Sequence, residues 1–163
     1  MYEKEPQNHF REIITNEALK LVGLNSRNHP KDNENHNLGC SPETGFDCSG
    51  FVKYVFTKSG ISIPEEIRHA SELFDHFGVL THIPRQGDLV FFSRNGLVPR
   101  HVGIMINNQE YIHSPGKNGE RIEIKKLEET EISLEHPNQL YLKNPIGFKT
   151  PTISNGRWQT IIY

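Results

Sequence analysis

The chain changes its hydrophobic period once, near Gly87, and that change narrows the folds open to it. Before it, apolar residues recur at helical spacing; after it come short apolar or alternating runs divided by turn residues, which read as strands. Phe10, Ile13, Ile14, Ala18, Leu21 and Val22 mark a first helix that Gly23 closes. Phe51, Val52, Val55 and Phe56 mark a second, with Asp47 suited to its N-cap and Gly60 at its end. A short third helix is expected over 68–77, with Ala70, Leu73, Phe74 and Phe77 on its apolar side. Residues 88–92 and 101–106 are candidate buried strands, and Asn107-Asn108 turns the latter into a partner over 110–114. Residues 121–125 alternate as a half-exposed strand, and Leu140-Tyr141-Leu142 with 145–148 supply a last one, interrupted near Pro145. Helices first and strands afterwards indicate an α+β fold, an antiparallel sheet packed on the second helix.

With 163 residues the chain is expected to form a single domain, 1–163, around one core. Hydrophobic residues make up 34% and mean hydropathy is −0.60, which fits a small core with long polar loops. The longest of these, 24–46, leads into the second helix, and loops of such length are usually functional or mobile. Eighteen basic against twenty acidic residues give a net charge of −2, so there is no basic field to attract nucleic acid or an anionic membrane. No run is long and apolar enough to span a bilayer, and the charged start lacks the pattern of a secretory signal.

The second helix begins with Gly45-Phe46-Asp47-Cys48-Ser49-Gly50. A thiol in a first helical turn meets unpaired N–H groups and the positive dipole end, which favours the thiolate. Cys48 is thus either an activated nucleophile or a buried structural cysteine; the segment alone leaves both open. A disulfide with Cys40 would consume the thiol, and both cysteines are expected reduced. A thiolate needs a base and the base needs an orienting group. His101 and His113 flank the predicted hairpin turn and can lie side by side on one face, which is expected to meet the cysteine helix and lower the thiol's pKa. His9, His29, His69, His76, His82 and His136 read as surface residues. Neither C-x-x-C nor H-E-x-x-H spacing is present, so no metal is expected, and no cofactor. The Cys48 backbone N–H would meet the oxyanion. Arg94 and Arg100 are either solvated or able to reach a substrate carboxylate.

Several blocks together resemble the NlpC-type, papain-like cysteine peptidases that cut the peptide stems of bacterial cell wall. They are 41–52 around Cys48, Gln86-Gly87-Asp88-Leu89-Val90-Phe91-Phe92, His101-Val102-Gly103-Ile104 and Tyr111-Ile112-His113-Ser114, and the likeness is strongest over 39–125. The resemblance implies Cys48 as nucleophile, His101 as base and His113 as orienting residue. It further implies Asp47 and Ser49 near a substrate amine, beside the N-cap role that Asp47 has locally. Members often carry Tyr-x-Trp-Gly-Gly before the nucleophile block; here the stretch is His36-Asn37-Leu38-Gly39-Cys40, which places His36 at the tyrosine's position and makes it a candidate substrate-binding residue.

The implied activity is thiol hydrolysis of peptidoglycan stem peptides, at the bond from D-glutamate to a diamino acid, through an acyl-enzyme. A thiol acyltransferase, amidase or deamidase acting on lipid or protein would use the same nucleophile, and a catalytically silent binding module would keep the fold alone. With no signal recognised, a cytoplasmic site on released muropeptides is expected, or export by another route as an effector, where an immunity or inhibitor protein would be the partner.

Overall fold

A computed structural model describes residues 4–93, 96–127, 145–151, 153–154 and 157–158. Its elements, in chain order, are α1 (Lys4–Leu19), β1 (Cys40–Ser41), β2 (Gly45–Phe46), α2 (Cys48–Lys58), α3 (Ala70–His76), β3 (Val79–Thr81), β4 (Leu89–Phe92), β5 (His101–Met105), β6 (Glu110–His113), β7 (Glu123–Lys126), β8 (Gly147–Thr150), β9 (Ile153–Ser154) and β10 (Arg157–Trp158). Six of the strands form one antiparallel sheet in the order β3-β8-β4-β5-β6-β7. The three helices, the meander from β4 to β7 and the α+β class agree with the sequence reading.

Other expectations need correction. The first helix stops at Leu19, and Val22 is exposed beyond it. The strand expected over 145–148 is β8, two residues later, and it pairs between β3 and β4; the short β9 and β10 follow it and pair with each other. Leu140, Tyr141 and Leu142 lie outside the described residues. Short β3 escaped notice because Val79 and Leu80 are both exposed, so no period-2 pattern exists there.

Strand alternation divides the core into two layers. Leu89, Phe91, Val102, Ile104 and Ile112 face the helices, meeting Ile14 and Ala18 of α1, Phe51, Val52, Val55 and Phe56 of α2, and Leu73 of α3. On the other face Val90, Phe92, Met105 and Tyr111 form a smaller cluster with Leu127 and Phe148 packed against it. A buried ion pair joins the layers at one end: Arg11 Nη1 of α1 donates to Asp88 Oδ1 at 2.6 Å and to the Gln86 carbonyl at 2.8 Å. Asp88 also accepts the Arg85 N–H at 2.8 Å, which shapes the turn into β4. The Asp of the Gly87-Asp88-Leu89 block is therefore an anchor for α1.

Candidate active site

The start of α2 is built by local rules. Asp47 has extended backbone angles (φ −87°, ψ 178°), and its Oδ1 accepts the Gly50 N–H at 2.7 Å, the hydrogen bond of an N-cap. Cys48 follows as the first helical residue, so its own N–H has no intrahelical acceptor. Gly50 is required by crowding: a Cβ there would lie 1.9 Å from the Gly39 carbonyl oxygen. The loop before β1 thereby packs directly on the helix's first turn, and Asp47 N–H closes the contact by donating to the same carbonyl at 3.0 Å.

The half-buried Cys48 opens, with His101, onto a cleft of about 440 Å³. Its Sγ lies 4.0 Å from the Arg100 carbonyl oxygen, and the N–H groups of Val102 and Ser49 point toward it, so the thiol sits across the start of β5 beside His101. Two imidazoles meet there: His101 Nε2 is 2.6 Å from His113 Nδ1, with the rings edge to face. Gly103 makes room for this, since a Cβ at that position would come within 3.3 Å of the His113 Cβ. The rings share a face as expected, but it is the face of Phe92 and Tyr111, whose rings lie 5.8 Å from His101 and 5.2 Å from His113. Period-2 alternation explains this, because Val102 and Ile104 take the side that packs on α2. Cys48 and His101 therefore share the cleft at the strand's end, not across the sheet's helix-packed face.

Electrostatics correct the expectation of a pre-formed thiolate. Burial, followed by the Asp47 charge, pushes the Cys48 thiol up to about 12, against the lowering by the Val102 and Ser49 N–H groups and Arg68. Burial, aided by the His113 and Lys125 charges, holds His101 well below 6.5. Each group alone is neutral near pH 7, and charge separates only if the proton passes from one to the other.

Asp47 is almost fully buried and fully engaged. Arg68 forks onto it, Nη1 to Oδ1 at 3.0 Å and Nη2 to Oδ2 at 2.5 Å, and His29 Nδ1 lies 3.1 Å from Oδ2. Burial would raise this carboxyl, but the bonds from His29, Arg68 and Gly50 together with the Arg68 charge hold it below 3.8. Ser49 Oγ accepts from Arg68 Nη1 at 2.8 Å and donates to Asp47 Oδ1 at 3.3 Å. The same guanidinium donates to the carbonyls of His36 and Leu38 at 2.8 and 3.0 Å, tying the preceding loop down.

Asp47 and Ser49 line the cleft, as do His29, His69 and Arg100. His36 does not. Its ring is exposed and borders a separate hollow of about 730 Å³ with Cys40, Lys53 and Tyr54, because the loop meets Arg68 through the His36 carbonyl rather than its imidazole. His29 and His69 are solvent-exposed in part, as the sequence reading has them on the surface, and their tilted rings, with centroids 4.6 Å apart, also line the cleft wall. Arg94 lies outside the described residues. Sequence reasoning also passed over Arg68 and Glu123, the latter 3.0 Å from His113 Nε2. Placing them needs two long-range facts, the docking of loop 36–39 and the register of β6 with β7. Both cysteines are free thiols.

The NlpC/P60 family model matches residues 33–136, well over half of the chain. The chain belongs to the NlpC/P60 family. Among curated NlpC/P60 relatives, the bifunctional muramidase/DL-endopeptidase CwlT of Bacillus subtilis (strain 168) is 42% identical over 111 residues, 64% of this chain and 29% of that protein. The murein DD-endopeptidase MepH of Escherichia coli (strain K12) is 39% identical over 93 residues, 56% of this chain and 34% of that protein. The chain thus spans about a third of the length of these relatives. A solved structure of a lipoprotein-like NLP/P60 protein from Staphylococcus aureus superposes with a TM-score of 0.56 at 26% identity, over 91% of this chain and 42% of that one. The shared architecture is the α+β papain-like fold of NlpC/P60 domains.

Proposed function

We propose that this NlpC/P60 domain is a cysteine peptidase acting on peptidoglycan stem peptides. The observation that carries the reading is that Cys48, at a helix N-terminus, and His101 line one cleft, with His113 hydrogen-bonded to the His101 ring. In the proposed cycle the Cys48 S–H proton passes to His101 as sulfur attacks the scissile carbonyl, and the Cys48 N–H meets the oxyanion. Collapse of the tetrahedral adduct breaks the C–N bond, and the imidazolium returns its proton to the leaving amine. Water, deprotonated by the same imidazole, then cleaves the thioester, releasing the carboxylic acid and restoring the thiol. His113 holds the His101 ring through this exchange.

The relatives' names support the substrate class, a murein endopeptidase in one case and a DL-endopeptidase in the other. We favour the latter bond geometry, from D-glutamate to a diamino acid. Incubation with defined stem peptides and mass spectrometry of the products tests this. Cleavage at that bond by the wild type, abolished in Cys48→Ala with the fold retained, is the expected outcome. Stems left whole while an acyl group moves to another nucleophile would replace hydrolysis by acyl transfer, and unchanged cleavage in Cys48→Ala would refute the nucleophile.

A further inference from the structure

The third residue of the site, His113, is itself held by a residue on the next strand. His113 and Glu123 are direct partners across the β6–β7 ladder, which puts both side chains on one face, and His113 Nε2 lies 3.0 Å from Glu123 Oε1. An ionised carboxylate offers only acceptors. Glu123 is kept ionised, its carboxyl lowered below 4.5 chiefly by the His113 hydrogen bond, with the His113 and Lys125 charges acting in the same sense. The hydrogen between them therefore belongs to His113 Nε2.

The remaining protons follow by elimination. Burial, the leading influence, holds His113 below 6.5, so at neutral pH it carries one N–H and its Nδ1 is a bare acceptor. That nitrogen is 2.6 Å from His101 Nε2, which must then be the donor. A neutral His101 with its hydrogen on Nε2 has its lone pair on Nδ1, the form a general base requires.

We propose that Glu123 is a positioning residue, whose acceptor-only carboxylate fixes the order Glu123···H–Nε2 His113 Nδ1···H–Nε2 His101 and so keeps His101 Nδ1 unprotonated, the form in which it can take the Cys48 proton. Without it the pair can reverse. His113 would donate from Nδ1 to His101 Nε2, and the His101 hydrogen would move to Nδ1, where it blocks uptake of the thiol proton. The Glu123 side chain is 44% exposed, and Lys125 Nζ lies 3.9 Å from the same oxygen, so the effect is moderated by solvent and by a neighbouring cation.

The inference rests on Cys48 and His101 as nucleophile and base, and its test reads both without a substrate. Nitrogen-15 NMR of the imidazoles in the intact protein shows which nitrogen carries hydrogen. Iodoacetamide labelling with peptide mapping reports the reactivity of Cys48, with Cys40 as internal reference. Wild-type protein is expected to hold the hydrogen on Nε2 of both rings. Glu123→Ala should give mixed tautomers at both and slow Cys48 labelling about tenfold, the order of one hydrogen bond to a charged group, with Cys40 unchanged. Glu123→Gln, whose amide can present either face to the ring, should fall between. A wild-type His113 carrying its hydrogen on Nδ1, or a Glu123→Ala protein with unaltered tautomers or unaltered labelling, overturns the positioning role. His101→Ala separates the two levels: if it too labels at the wild-type rate, the Cys48–His101 reading itself fails.

Discussion

Asp47 shows how one side chain can stabilise the fold while restraining the chemistry beside it. It caps α2, neutralises the buried Arg68 fork and orders Ser49, yet its charge is the second-largest influence holding the Cys48 thiol up. Those roles separate in Asp47→Asn. The amide keeps an acceptor for Gly50 but leaves Arg68 without its counter-charge, at a cost of about 3 kcal/mol in denaturant unfolding. With the neighbouring negative charge gone, the thiol should ionise more readily, so Cys48 alkylation near neutral pH should accelerate in the folded variant. Slower alkylation would show that the first-turn geometry matters more than the charge. The thiol, its two histidines and the N-cap were legible in the sequence because each is announced within a few residues by helix-start or hairpin chemistry. Arg68, His29 and Glu123 were not, since a residue's place in a cleft depends on loop docking and strand register that local patterns do not encode.

Among the described residues, the polar ties of α1 side chains to the sheet run through Arg11. Arg11 and Asp88 are both almost fully buried, and the pair fastens a helix from the start of the chain to the turn that launches β4. Replacing Asp88 by Ala leaves a buried guanidinium without its counter-charge and is expected to cost about 3–5 kcal/mol. The double change Arg11→Leu with Asp88→Ala should recover much of that loss, and thermal denaturation of the three proteins measures it. A single variant as stable as wild type would mean that water replaces the lost carboxylate. The sequence block Gly87-Asp88-Leu89 marked a strand start correctly; its tie to a helix 77 residues earlier was invisible, because a lone arginine on a predicted amphipathic helix reads as solvent-facing.

Across the whole molecule, the shifted groups that titrate below neutral pH act in one direction. His101 and His113 are both held below 6.5 by burial, so as pH falls through that value the unfolded chain binds protons that the folded protein refuses, and stability declines. The lowered carboxyls of Glu123 and Asp47 extend the loss below 4.5 and 3.8. Melting temperature should therefore drop between pH 7.5 and pH 5 and continue to fall toward pH 3; a rise on acidification to pH 5 would mean that the histidines are stabilised as cations. The strand order has a different consequence. Among the described residues β3 joins the six-stranded sheet through β8, so the first of that sheet's strands to be made waits for its last. Until residues 147–150 leave the ribosome, β4 presents an open edge whose four side chains, Leu89 to Phe92, are all destined for burial. A nascent chain at that stage is a template for pairing with its neighbours, and the delivery of one late strand closes that edge.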